Sequence, residues 1–177
     1  MPTAFRWQTR ANALTALRLF AAPALATAVC ADAPGLGLVW FALAVATDFA
    51  DGWVARRYRE ASPLGGLVDH SVDATFVTVA TATYAMLGVL PLALPPLIVA
   101  AFLQYVLDSR AGATRPLRAS FLGRWNGIAY YVIVAVPLAR DSLGLGFPSA
   151  GLLVAFGWAL VGSTLVSMAD RFLATRP

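Results

Sequence analysis

Four aspartates, Asp48, Asp51, Asp69 and Asp73, lie within a short stretch of otherwise strongly apolar sequence. Carboxylates are costly in apolar surroundings, and where they occur there they usually serve a function. Asp48 and Asp51 are three residues apart, and Asp69 and Asp73 are four apart, so each pair shares one face of its own helix. Two such helices, facing each other, could clamp Mg²⁺ or Mn²⁺ ions, because these ions prefer oxygen ligands.

The helices that carry these aspartates are predicted to lie in a membrane. Of the 177 residues, 59% are hydrophobic and 12% are charged, and the mean hydropathy is +0.72, which is far more apolar than a soluble domain. An apolar segment of about 20 residues can span a bilayer. We place six such segments, after a juxtamembrane segment at about 1–11, at residues 12–31, 35–56, 65–90, 92–109, 121–139 and 149–170.

The predicted fold class is therefore all-α, a polytopic membrane protein with six transmembrane helices that form a single catalytic domain over residues 1–177. All thirteen basic residues are arginines. Outside the spans they precede the first span, follow the second and the fourth, and end the chain, whereas the opposite connections carry only Arg140. The positive-inside rule then places both termini and the aspartates on the cytoplasmic side, which predicts a cell inner-membrane protein.

Several classes of site are not indicated. The single cysteine, Cys30, excludes an intramolecular disulfide, and the sequence has no glycine-rich nucleotide loop, CxxC pair or HExxH motif. No nucleic-acid partner is predicted. The first span has a second interpretation as a secretory signal peptide, since Arg6 and Arg10 precede an apolar run that contains Ala26-Thr27-Ala28.

The spacing of the aspartates matches a family signature, Asp-x2-Asp-Gly-x2-Ala-Arg-x8-Gly-x3-Asp-x3-Asp. The residues that match it are Asp48, Asp51, Gly52, Ala55, Arg56, Gly65, Asp69 and Asp73. Two flanking segments also fit, namely Asn12-Ala-Leu-Thr15-Ala-Leu-Arg18 and Ser120-x2-Gly123-Arg124. On these residues the chain resembles the CDP-alcohol phosphotransferase family, phosphatidylglycerophosphate synthases in particular.

The resemblance implies a six-helix fold in which an alcohol hydroxyl attacks the phosphorus of CDP-diacylglycerol, so that CMP is released. It implies that Asp48, Asp51, Asp69 and Asp73 hold metal, and that Asp73 is also the general base. Two Mg²⁺ or Mn²⁺ ions about 4 Å apart would stabilise the attacked and departing groups. The implied nucleotide-binding residues are Asp48, Asp51, Gly52, Ala55, Arg56, Gly65 and Asp69. The resemblance also implies that the protein forms a homodimer and that membrane lipids surround it.

The acceptor alcohol is less well specified. Candidate ligands for the acceptor or its phosphate are Thr15, Arg18, Arg110, Ser120 and Arg124. Glycerol 3-phosphate is the favoured acceptor. However, family members that use it commonly have Pro after the third aspartate and Lys after the fourth, where this chain has His70 and Ala74. Inositol phosphate, serine and amino alcohols therefore stay open as acceptors.

Two other classes of function stay open. A cation-coupled transporter could use buried acids as an ion pathway, although the sequence lacks paired broken helices and internal symmetry. A non-catalytic membrane subunit could also retain the motif, although all four carboxylates are present. The sequence favours a membrane transferase of phospholipid biosynthesis.

Overall fold

The computed structural model describes residues 10–57, 63–111 and 121–174. These ranges contain no strand and form six helices, which we number along the chain as α1 (Arg10–Cys30), α2 (Pro34–Arg57), α3 (Pro63–Met86), α4 (Leu94–Ala111), α5 (Phe121–Ser142) and α6 (Ala150–Ala174). The prediction of an all-α fold is confirmed for the described residues. Each predicted span corresponds to one of these helices.

Helix α3 ends earlier than its apolar stretch predicts. The predicted span runs to residue 90, but the helix ends at Met86. Gly88 adopts a left-handed conformation with φ of 76°, and the amide of Val89 donates a hydrogen bond back to the carbonyl of Tyr84 at 2.9 Å. Glycine in this conformation is a common way to close a helix. Hydropathy does not detect such a turn, because the residues that follow it are also apolar.

Helix α1 bridges the two aspartate-bearing helices, α2 and α3, which over the described residues do not pack directly against each other. Helix α1 packs against both α2 and α3, while α5 packs against α2, α3 and α6. Small residues at these contacts, among them Ala21, Ala22, Ala44 and Ala80, are fully or almost fully buried and let the helices approach closely. The aspartates of α2 and α3 consequently lie near the same side of α1.

Three of the described helices contain segments long and apolar enough to cross a bilayer, namely Pro34–Asp51, Phe121–Ser142 and Ala150–Leu173. Shorter apolar helical segments cover Leu14–Cys30 and Leu94–Asp108. Asp69, His70 and Asp73 lower the hydropathy of the first part of α3. Six transmembrane helices therefore stay a prediction, although six helices are present in the described ranges.

Candidate active site

The four aspartates come together where α2 faces α3. Their side chains form two overlapping groups, Asp48 with Asp51 and Asp69, and Asp69 with His70 and Asp73. Within each group the possible ligand atoms all lie within 4.8 Å of one another. Asp69 belongs to both groups. The helical spacing read from the sequence thus produces one cluster of carboxylates, to which His70 adds a nitrogen.

Arg18 of α1 reaches into this cluster and contacts all four carboxylates. Its Nη2 lies 3.1 Å from Asp48 Oδ1 and 2.7 Å from Asp51 Oδ2. Its Nη1 lies 2.9 Å from Asp69 Oδ1 and also pairs with Asp73 Oδ1. The Arg18 side chain is fully buried. One guanidinium against four carboxylates leaves negative charge in excess, which divalent cations would neutralise.

The donor set fits divalent metal ions. Carboxylate oxygens are hard ligands, which suit Mg²⁺ and Mn²⁺, and an imidazole nitrogen is compatible with Mn²⁺. The two groups share Asp69, an arrangement that suits two neighbouring ions. The carboxylates also already converge on a cation, the guanidinium of Arg18.

Tyr131 of α5 holds Asp73 from the other side. Its hydroxyl donates a hydrogen bond to Asp73 Oδ1 at 3.0 Å. Its ring stacks on Phe76 of α3, with centroids 5.9 Å apart, and meets Phe41 of α2 edge-on at 6.1 Å. Tyr131 was not predicted as a site residue from the sequence. The signal that could have found it is a phenol in the middle of an apolar span, where the hydroxyl needs a partner.

A cavity of about 670 Å³ adjoins the cluster. Asp48, His70 and Asp73 lie on one side of it. Helices α4, α5 and α6 also line it, and their polar lining residues are Gln104, Tyr105, Arg124, Asn126, Tyr130, Tyr131, Thr164, Ser167 and Arg171. One continuous space therefore joins the carboxylates to two arginines.

Arg171 enters this cavity because residue 123 is glycine. A Cβ atom on Gly123 would lie only 2.9 Å from Arg171 Nη2, so a larger residue would displace the guanidinium. The guanidinium carbon of Arg171 lies 5.5 Å from the ring centroid of Tyr105, a cation–π distance. Arg171 forms no ion pair with an aspartate of the described ranges, which leaves its charge available for an anionic ligand.

The other predicted ligands lie in different places. Arg124 is exposed and lines the cavity, as an acceptor ligand would. Thr15 and Arg18 are predicted as acceptor ligands too, but the structure places them against the aspartates, with the Thr15 hydroxyl 3.3 Å from Asp51 Oδ2. Gly65 lies in the first turn of α3. Gly52 lies within α2. Ser120 lies outside the described residues, as do the side chains of Ala55, Arg56 and Arg110.

Comparison with known proteins agrees with this geometry. Residues 8–169 match the family model for CDP-alcohol phosphatidyltransferase. The chain is 31% identical over 131 residues to the cardiolipin synthase (CMP-forming) of Streptomyces coelicolor, covering 72% of this chain and 60% of the relative. It is 30% identical over 137 residues to the CDP-diacylglycerol–glycerol-3-phosphate 3-phosphatidyltransferase of Cereibacter sphaeroides, covering 71% of this chain and 61% of the relative.

The match thus spans about three fifths of the length of these two curated relatives. The family model, in contrast, covers residues 8–169, including α1 and the aspartate cluster. On this match, the chain belongs to the CDP-alcohol phosphatidyltransferase family of enzymes.

Proposed function

We propose that this chain transfers a phosphatidyl group from CDP-diacylglycerol to a hydroxyl of a glycerol phosphate acceptor, with glycerol 3-phosphate as the first candidate, and releases CMP. The observation that carries the proposal is the single cavity that joins Asp48 and Asp73 to Arg124 and Arg171. The carboxylate end suits the metal-bound diphosphate of the donor. The cationic end suits the phosphate of the acceptor. The two bacterial relatives are named for CMP-forming synthesis and for transfer to glycerol 3-phosphate.

The family uses divalent metal ions. In this chain Asp48, Asp51, Asp69 and Asp73 would hold two of them, with His70 beside the second group. When bound, the ions would neutralise the diphosphate oxygens and stabilise the departing phosphate.

The role of general base is proposed for Asp73, which lines the cavity together with Asp48. Its carboxylate would accept the proton of the acceptor hydroxyl as that oxygen bonds to the lipid-side phosphorus. The bond from this phosphorus to the bridging oxygen of the diphosphate breaks, and CMP leaves with the electron pair. Tyr131 and Arg18 both contact Asp73 Oδ1, so they orient the carboxylate.

Phosphatidylglycerol is a second candidate acceptor, since it offers the same glycerol phosphate in lipid form. The cavity is lined by Phe49 of α2 and Ile128 of α5, and these side chains are 75% and 52% exposed. These exposed apolar side chains would suit the approach of a lipid acceptor from the surface of α2 and α5. The relative from Streptomyces coelicolor carries the name cardiolipin synthase (CMP-forming).

Three further assignments belong to the proposal. The arginine distribution supports a site on the cytoplasmic side of the inner membrane. The homodimer stays a prediction. Membrane insertion is supported by the three apolar segments that are long enough to span a bilayer.

The test is CMP release by purified protein in detergent, with CDP-diacylglycerol and either Mg²⁺, Mn²⁺ or EDTA. Acceptors would be glycerol 3-phosphate, phosphatidylglycerol, inositol phosphate and serine, with lipid products identified by mass spectrometry. We expect metal-dependent CMP release with one of the two glycerol phosphate acceptors. Release with serine alone would overturn the proposed acceptor. If folded protein releases no CMP with any acceptor but carries cations across liposome membranes, a transporter would be favoured.

Arg171→Gln should weaken acceptor binding selectively. Loss of a hydrogen-bonded charge pair with the acceptor phosphate should raise KM for glycerol 3-phosphate about 10–100-fold, while kcat should change by less than about threefold. The matched control is Arg140→Gln, which removes an arginine paired with Asp141 and absent from the cavity wall. Equal KM values in Arg171→Gln and the parent protein would show that this arginine does not bind the acceptor.

A further inference from the structure

A tyrosine of α5 contacts the proposed general base and the residue next to it on the same face of α3. Asp73 and Phe76 are three residues apart, so their side chains leave one face of that helix. The Tyr131 ring stacks on Phe76, with centroids 5.9 Å apart and planes inclined by 19°. The Tyr131 hydroxyl lies 3.0 Å from Asp73 Oδ1. The stacked ring thus places the hydroxyl at the carboxylate.

The Tyr131 ring is held by both aspartate-bearing helices. Phe76 of α3 is fully buried, so the surface on which the ring stacks is itself fixed by close packing. The ring also meets Phe41 of α2 edge-on, with centroids 6.1 Å apart. Aromatic pairs at such distances are favourable beyond the area that they bury. These contacts restrict the position of the phenol relative to Asp73.

The hydroxyl of Tyr131 has a role that the ring contacts do not require. A phenylalanine in place of Tyr131 would make the same ring contacts, and it would bring no polar group into apolar surroundings. An ionised carboxylate can only accept a hydrogen bond, so the phenol must donate its single proton to Asp73. The hydroxyl therefore acts on the carboxylate, whereas the ring acts on the packing.

Both donors to Asp73 use the same oxygen. Arg18 Nη1 reaches Oδ1 from α1, and the Tyr131 hydroxyl reaches it from α5. Each oxygen of a carboxylate has about two lone-pair sites, so two donors occupy Oδ1. Oδ2 is consequently the oxygen of Asp73 that can accept a further proton.

We infer that Tyr131 is a positioning residue, whose hydroxyl holds Oδ1 of Asp73 so that Oδ2 takes the proton of the acceptor hydroxyl. The proton moves to Oδ2 as the acceptor oxygen bonds to the lipid-side phosphorus, and CMP leaves with the electron pair of the broken bond. The proton of Tyr131 stays on the phenol. The inference rests on the proposed function and names the oxygen that acts in it.

The experiment compares Tyr131→Phe with the parent protein. CMP release is measured with CDP-diacylglycerol, Mg²⁺ and whichever glycerol phosphate acceptor the parent protein uses. A base must lie within hydrogen-bond reach of the proton that it takes, and a misplacement of about 1 Å can cost about 10²-fold in rate. We therefore expect kcat to fall about 10–100-fold, while KM for donor and acceptor should change by less than about threefold.

A second readout and a matched control separate positioning from a loss of structure. Mg²⁺ should raise the melting temperature of Tyr131→Phe as much as that of the parent protein, because the variant keeps all four carboxylates. The control is Tyr84→Phe, which removes the hydroxyl of another buried tyrosine. Tyr84 does not line the cavity, so this variant should keep the parental kcat and KM.

Three results would overturn the inference while the proposed function stands. The first is a parental kcat in Tyr131→Phe. The second is a fall in kcat of the same size in Tyr84→Phe. The third is a fall in kcat together with a lost response to Mg²⁺, which would assign the phenol to the metal site. A folded parent protein that releases no CMP with any acceptor would overturn the proposed function, and the inference with it.

Discussion

Asp73→Asn is expected to lower the rate of CMP release about 10³-fold or more. General-base catalysis alone contributes about 10²–10⁴-fold, and the substitution also removes a charge from the proposed metal site. Asparagine has nearly the same shape as aspartate, so the packing around Tyr131 and Phe76 should survive. The rate is measured with saturating CDP-diacylglycerol and acceptor, on protein whose thermal unfolding matches that of the parent.

Asp141→Asn is the matched control for this prediction. Like Asp73, Asp141 is a helical aspartate whose carboxylate contacts an arginine. Arg140 Nε lies 2.6 Å from Asp141 Oδ1. It lies near the end of α5, away from the cavity wall. We expect near-parental activity from this variant. Comparable activity of Asp73→Asn and Asp141→Asn would refute the assignment of the reactive carboxylate.

Arg18→Leu should destabilise the metal-free protein by about 3 kcal/mol. Removing one partner of a buried ion pair costs about 3–5 kcal/mol, and we take the lower end because Asp48 and Asp69 retain 38% and 28% exposure of their side chains. Four carboxylates would then repel one another without a shared cation. The melting temperature in EDTA should fall by roughly 5–10 °C, and Mg²⁺ should restore part of this loss because it would bind the same carboxylates.

Arg140→Leu tests whether the effect is specific to the cluster. Arg140 has a single aspartate partner, Asp141, whose side chain is 39% exposed. Partly exposed ion pairs contribute about 0–1 kcal/mol, so the melting temperature should change little. A fall of the same size for both variants, or a fall for Arg18→Leu that Mg²⁺ leaves unaltered, would contradict the role given to Arg18.

The aspartate cluster was accessible to sequence reasoning because its determinants are local. Spacings of three and four residues define helix faces whatever the tertiary fold is. That the two helix faces meet was a further prediction, and in the structure α1 bridges the two helices. The carboxylate partners of Arg18 could not be predicted from the sequence in the same way. A buried arginine in an apolar span requires a partner, but which carboxylates supply it depends on how α1 packs against α2 and α3.

The acceptor side of the cavity was harder still to predict. Arg171 lies near the end of the last apolar stretch, where arginines commonly determine topology, and only the fold shows that its guanidinium reaches the ring of Tyr105. Gln104 and Asn126 are single polar residues within apolar spans. A hydropathy value averaged over a window does not reveal them, because their apolar neighbours dominate the average. Each has a buried polar atom without a partner among the described residues, and this becomes visible only when the neighbouring helices are in place.

The contacts of Arg18 also bear on how the protein is assembled during synthesis. Helix α1 leaves the ribosome before α2 and α3, and the carboxylates that pair with the Arg18 guanidinium follow 33 residues later at Asp51 and 55 residues later at Asp73. A lone charged side chain is costly in an isolated apolar helix inside a bilayer. The first helix should therefore stay near the insertion machinery or the membrane surface until α3 has been translated. In the predicted six-span topology, the first three helices would then enter the bilayer interior as one unit.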